Sequence, residues 1–220
     1  NRMSKISGLS DVGIDNIKLL KLFSQKELER CLGFKLFKHN VLVTFHPVTL
    51  EDSTSKEHFS NLLEALDELE NIGLIFTKAN ADTDGHIINK MIDEYVEINS
   101  HKAVSHKSLG QVAYLSTLKY VDGVVGNSSS GLIEAPSFNI GTLNIGDRQR
   151  GRIMADSVIN CSSKKEEIKL ALTVLFSDNF KKQTANVINP HGEGGAASKI
   201  VEIIKNQSLN KLLMKKFYDL

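Results

Sequence analysis

The chain has no tryptophan, only three prolines and two cysteines, and an almost balanced charge. Each scarcity excludes something. Cys31 and Cys161 lie far apart, with no CxxC pair and no Cys/His cluster. Neither a metal site nor a redox dithiol is therefore expected, and two lone thiols suit a reducing, cytoplasmic setting. A formal net charge of +1 supplies no global pull toward nucleic acid or an anionic membrane, so neither is expected as a partner. No apolar run approaches the roughly 18 residues of a transmembrane helix. The opening NRMSKISGLSDVG lacks the apolar core of a signal peptide and begins without Met, so the chain is expected to start inside a longer protein. What remains is 220 residues, 41% hydrophobic and 24% charged, the composition of a folded globular protein.

Short apolar runs alternate with longer amphipathic ones. VLVTF (41–45) predicts a strand ending at His46-Pro47, and SKEHFSNLLEALDELEN (55–71) places Phe59, Leu62, Leu63, Leu66 and Leu69 at helical spacing. Gly73 is expected to end that helix, with a strand at Leu74–Thr77. Helices are predicted at about 85–98, 108–120 (opened by a serine cap), 129–137 and 164–176, and strands at 102–105, in DGVVG (122–126), and at 141–146 and 157–161. Repeated β-then-α units predict an α/β fold, a Rossmann-like parallel sheet flanked by helices. The tail ASKIVEIIKNQSLNKLLMKKFYDL reads as one or two amphipathic helices after the glycine-rich NPHGEGGA.

In such sheets ligands bind beyond the carboxyl ends of the strands. That rule selects His46, Asn80, Ser108–Gly110, Asn127–Gly131, and Asp147 with Arg148 before any motif is invoked. GNSSSG (126–131) stands between a strand and a helix, where backbone N–H groups and the helix dipole favour anions, and Gly131 would let a phosphate approach closely. Glu134, further along, could accept from ribose hydroxyls. An ordinary serine-capped turn explains the stretch equally well. It is not a Walker loop, because no lysine follows at the required place. His46 suits phosphate donation or proton transfer, or merely borders a turn. Arg148, Arg150 and Arg152 form a local cationic loop, suited to a diphosphate or simply solvated. NADTDG (80–85) lacks the spacing of a calcium loop and reads as a turn and cap. His39, His58, His101 and His106 read as surface or helix residues.

Taken in order, FHPVTLE, KANADTDG, SLGQVAYL, GNSSSGLIEAPSF and NIGDRQRGR resemble the hydrolysing UDP-N-acetylglucosamine 2-epimerases of sialic-acid and related pathways. The resemblance covers the C-terminal half of a family member and implies a two-domain, glycosyltransferase-B architecture with the N-terminal domain missing here. It implies that His46 lies near diphosphate and sugar, that Asn80 belongs to the nucleotide site and that Arg148 is a site arginine. Ser128, Ser129 and Glu134 would hold phosphate and ribose, and the backbone at Ser108–Leu109 would meet uracil. The family reaction eliminates UDP across C1–C2 to a glycal, which water converts to the free 2-epimer, N-acetylmannosamine or a relative. No cofactor and no metal is implied. Partners are the UDP-amino sugar or UDP, the N-terminal domain and a second copy, since such enzymes tend to dimerise.

Residues 1–205 are expected to form the UDP-binding domain, and 206–220 a helix directed toward the missing domain. Two other readings stand beside this one: the nucleotide-binding domain of a glycosyltransferase, and a non-enzymatic nucleotide-sugar-binding module. His86 and Lys90 occupy positions linked to feedback inhibition by a CMP-sugar in animal relatives, but the surrounding loop differs, which argues against that regulation here.

Overall fold

The computed structural model describes residues 11–47, 54–80 and 83–206, the side chains of residues 83 and 84 excepted. Six strands, β1 (His39–Thr44), β2 (Ile72–Thr77), β3 (Ala103–His106), β4 (Gly123–Gly126), β5 (Gly141–Ile145) and β6 (Val158–Cys161), form one sheet in the order β3-β2-β1-β4-β5-β6. Every pairing is parallel. β1, β2 and β5 are buried along nearly their whole length because helices cover both of their faces.

Helices α3 (Ser55–Asp67), α4 (Thr83–Ile98), α7 (Lys165–Phe176) and α8 (Asp178–Thr184) cover one face. There Phe59 and Phe76 are fully buried among Val41, Leu62, Leu66, Ile88 and Leu172. On the other face lie α2 (Gln25–Leu32) and α5 (Gly110–Tyr120), with Leu28, Leu115 and Leu118 packed on Leu42, Ile75 and Val124. Truncating a phenylalanine buried like these costs about 3–5 kcal/mol. Two further helices meet each other at one side, α1 (Val12–Leu19) and α9 (Ala196–Lys205). The Asp15 carboxylate of α1 accepts from the N–H groups of Gly195, Ala196 and Ala197, capping α9 from a distant part of the chain. Those bonds, Ala197 foremost, hold the Asp15 pKa below its ordinary value despite burial.

The doubly wound α/β architecture matches expectation, but three details differ. Helix α3 stops at Asp67, and Gly73 lies inside β2. A Cβ on Gly73 would stand 2.5 Å from Asn40 Oδ1, so glycine serves close packing there, not helix termination. The helix expected over 129–137 is broken into α6 (Ser130–Ile133) and a 3-10 turn (Ala135–Phe138). Pro136 has no N–H to give Leu132, and the α-helical ladder gives way. Finally, His39 and His106 are strand residues, neither helical nor simply surface. Residues 207–220, the body of the expected terminal helix, fall outside the described residues, as do Asp82 and the VTLE of FHPVTLE.

Candidate functional site at the carboxyl edge

The order of the sheet reverses between β1 and β4, the place where ligands bind at the carboxyl edge of such sheets. Gly126, the last residue of β4, makes the close approach possible. Its φ is 135°, and a Cβ would fall 1.9 Å from the Thr44 carbonyl oxygen, inside van der Waals contact. The next residue, Asn127, is 1% exposed and gathers the loops. Its N–H donates to Thr44 O at 3.1 Å. Its side chain takes the His46 N–H on Oδ1 at 2.7 Å and returns Nδ2 to His46 O at 2.7 Å. Its carbonyl accepts from Arg148 Nη1 at 3.0 Å and from the buried Gln149 Nε2 at 2.7 Å. Loops after β1, β4 and β5 are thus tied to one residue.

The GNSSSG turn follows directly. The N–H groups of Ser128 and Ser129 have no acceptor among the described residues, while Ser130 N–H is 3.4 Å from Ser128 Oγ. Because α6 spans only four residues, the attraction here for an anion rests on these donors and on Arg148 rather than on a long helix dipole. Ser130 Oγ is hydrogen-bonded to the Tyr114 hydroxyl, which fixes the turn against α5. Gly131 is buried against Thr142, whose Oγ1 donates to its carbonyl at 2.7 Å.

Glu134 ends α6 near the start of α1 and His191. Burial pushes its carboxyl above the ordinary carboxylate range. A hydrogen bond to Ser130 opposes this, the Asp11 charge adds to it, and His191 opposes it again. Its Oε2 is buried without a hydrogen-bond partner. A carboxylate held this way is ready to accept from hydroxyl donors.

Beside His46 a cleft of about 370 Å³ runs over the ends of β1, β2 and β3, lined by Thr44, Thr77, Lys78, Lys107, Ser108, Leu109 and Tyr114 among others. α5 starts at Gly110 with Leu109 at its cap position, so Ser108, expected as the cap, stands one residue before it, with its Oγ accepting from Gly110 N–H at 3.2 Å. Asn80 stands exposed after β2 and does not line this cleft. The arginine cluster divides: Arg148 reaches the Asn127 carbonyl, whereas Arg150 and Arg152 line a second cleft of about 750 Å³ at the ends of β5 and β6, which Phe45 and Asn127 also border. Cys161 borders that second cleft, and burial together with the Glu167 charge pushes its thiol up to about 12, so it is no thiolate nucleophile. Among the described residues, no group of three His, Cys, Asp or Glu side chains could hold a metal.

Reading the sequence singled out His46, Arg148, the serines and the position of Asn127, but not the bonds of the Asn127 side chain, nor Gln149, Lys78 and Lys107. An amide directly after a glycine-ended strand was the available signal for Asn127. Nothing local marks the bonds it makes, because His46 is 81 positions away.

Residues 2–205 match the family model described as UDP-N-acetylglucosamine 2-epimerase. The chain belongs to that family. It is 40% identical over 220 residues to the GDP/UDP-N,N'-diacetylbacillosamine 2-epimerase (hydrolyzing) of Campylobacter jejuni, covering 100% of this chain and 56% of that protein. To the polysialic acid biosynthesis protein P7 of Escherichia coli it is 34% identical over 218 residues, 98% of this chain and 55% of that one. A solved S. aureus MnaA–UDP structure shares the fold with a TM-score of 0.67 at 19% identity, over 93% of this chain and 56% of that chain. The chain therefore spans about half the length of the curated relatives it matches, and corresponds to their C-terminal part. Among the described residues no helix is long and apolar enough to cross a membrane.

Proposed function

We propose that this chain is the UDP-binding half of a hydrolysing 2-epimerase acting on a 2-acetamido UDP-sugar. The observation that carries the reading is Asn127, which joins His46, Arg148 and the donor-rich GNSSSG turn at the point where the sheet reverses. A diphosphate laid there would meet the Ser128 and Ser129 N–H groups, the Arg148 guanidinium and His46. Uracil would enter the cleft at Ser108–Leu109, Glu134 would accept from the ribose hydroxyls, and Asn80 would border the nucleotide from β2.

In the reaction the C2–H and C1–O bonds break and a C1–C2 double bond forms. UDP leaves with the bonding pair, and water then adds H to C2 and OH to C1. Arg148, His46 and the turn stabilise the charge that develops on the departing diphosphate, which is electrostatic catalysis by groups already oriented. The base that removes the C2 proton, and the acids of hydration, belong in this reading to an N-terminal domain outside the chain. The apolar residues Val201, Ile203 and Ile204, exposed on α9, support packing of this end toward that domain. The N,N'-diacetylbacillosamine enzyme among the relatives makes a di-N-acetylated sugar a substrate to assay first. Two free cysteines fit the reducing cytoplasm in which nucleotide sugars are made.

The test is titration calorimetry with UDP. A charge-assisted hydrogen bond is worth about 1.5–3 kcal/mol, so Arg148→Ala is expected to weaken UDP about tenfold or more. The chain alone is expected to release no UDP from UDP-N-acetylglucosamine. Unchanged affinity in Arg148→Ala refutes the site, and turnover by the chain alone refutes the division of labour.

A further inference from the structure

Among the described residues three asparagines make the same pair of bonds, each donating to the carbonyl and accepting from the N–H of one other residue. Asn127 does so with His46, at 2.7 and 2.7 Å. Asn89, on α4, takes the Ala79 N–H at 2.8 Å and returns Nδ2 to Ala79 O at 3.1 Å. Asn40 takes the Phe37 N–H and returns Nδ2 to Phe37 O, both at 2.9 Å. A primary amide used in this way presents the donor and acceptor that a neighbouring strand would present.

Position distinguishes them. The β1–β4 ladder ends at Thr44↔Gly126 and the β1–β2 ladder at Thr44↔Thr77, and past them strands supply only the bonds of Asn127 N–H to Thr44 O and Lys78 N–H to His106 O, neither of which reaches His46 or Ala79. Asn127 prolongs the order of β1 to His46. Asn89 prolongs the order of β2 to Ala79, the neighbour of Asn80. Asn40 makes the equivalent pair at the opposite edge, next to Asp122.

We infer that Asn127 and Asn89 are positioning residues of the nucleotide-sugar site. Neither side chain touches substrate; each substitutes for a missing strand and holds a binding loop in one geometry. Asn127 couples two such loops, since its side chain fixes His46 while its carbonyl holds Arg148. Misplacement of a reacting or binding group by about 1 Å can cost on the order of a hundredfold. The inference rests on the UDP reading, and Asn40 supplies its control: the same amide geometry and the full burial of Asn127, at the edge without candidate ligand groups.

Asn127→Ala, Asn89→Ala and Asn40→Ala, made in the full chain, are compared with the wild type for UDP affinity, thermal stability and hydrogen exchange at the His46 and Ala79 amides. Asn127→Ala should weaken UDP about tenfold and speed exchange at His46 while Val41–Thr44 stay protected. Asn89→Ala should release Ala79 and weaken UDP several-fold; being half-buried on a helix surface, it tests the idea even if Asn127→Ala does not fold. Asn40→Ala should lose comparable stability and keep UDP affinity within about twofold. If the position-127 or position-89 variant loses no more affinity than the position-40 variant, or if His46 exchange is unchanged, the inference is overturned with the UDP reading intact. Failure of the wild type to bind UDP removes both.

Discussion

The two ends of the β1–β4 pair are built from similar residue types and are opposite in state. At the amino end Asp122 is saturated: His39 Nδ1 lies 2.9 Å away, the Asn40 N–H donates at 2.9 Å and Lys181 at 3.1 Å. Burial opposes its ionisation, yet these three partners hold its pKa below the ordinary value. A cleft of about 760 Å³ lies at that edge, and among its charges Lys169 pairs with Glu68 and Lys181 with Asp122. At the carboxyl end one cleft of about 750 Å³ borders Asn127 and a smaller one of about 370 Å³ borders His46, and in the turn between β4 and α6 and just beyond it the Ser128 and Ser129 N–H groups and the buried Glu134 Oε2 have no hydrogen-bond partner among the described residues. Cavity size therefore does not mark the site. What marks it is polar capacity that the fold itself leaves unused.

The largest effect that would break this comparison is at the seam. Gly126→Ala drives a Cβ into the Thr44 carbonyl and should cost about 3 kcal/mol or more, seen in denaturant unfolding as a chain that folds poorly or not at all. Next, Asp122→Ala removes the shared acceptor of the buried Asn40 N–H and of the partly exposed His39 and Lys181 side chains, and should cost about 1–2 kcal/mol while leaving UDP affinity unchanged. Because the folded pKa of Asp122 is depressed, its contribution is present above the unfolded value of 3.8 and lost as pH falls through the folded one. The variant should accordingly lose part of its acid-limb stability dependence below about pH 4.

The smallest effect has the opposite sign. The folded pKa of Glu134 is raised, so its contribution is full below the unfolded value and lost as pH rises through the folded one. Glu134→Gln should therefore melt higher than the wild type at neutral pH, by about 2 °C, and bind UDP more weakly. A carboxylate that costs the free fold stability and is needed for the ligand is the signature of a binding group. A variant that melts lower and binds normally would assign Glu134 to the scaffold.

Much of this was legible in the sequence for a definite reason. Strand ends in a parallel sheet converge on one edge, so placing five strands correctly placed His46, Asn80, Ser108, Asn127–Gly131 and Arg148 along it. The remainder depended on contacts that periodicity does not encode. Gly73 carried the ordinary mark of a helix end, and only the approach of Asn40 shows that it belongs in a strand. α1, α2 and α8 are too short to show a full amphipathic repeat, and α6 was overextended because the break at Pro136 was not weighed. Arg150 and Arg152 read as partners of Arg148 by spacing, but the turn that bonds Arg150 N–H to Asp147 O and Arg152 N–H to Gln149 O turns them into the second cleft beside Asn127 while Arg148 bonds the Asn127 carbonyl.

Titration of UDP into the isotopically labelled chain, followed at the backbone amides, tests the central claim most directly. The account predicts saturable shifts at His46, Asn127, Ser128, Ser129 and Arg148, with His39, Asn40 and Asp122 unmoved. Shifts concentrated at the amino edge, or none at the carboxyl edge, would contradict it.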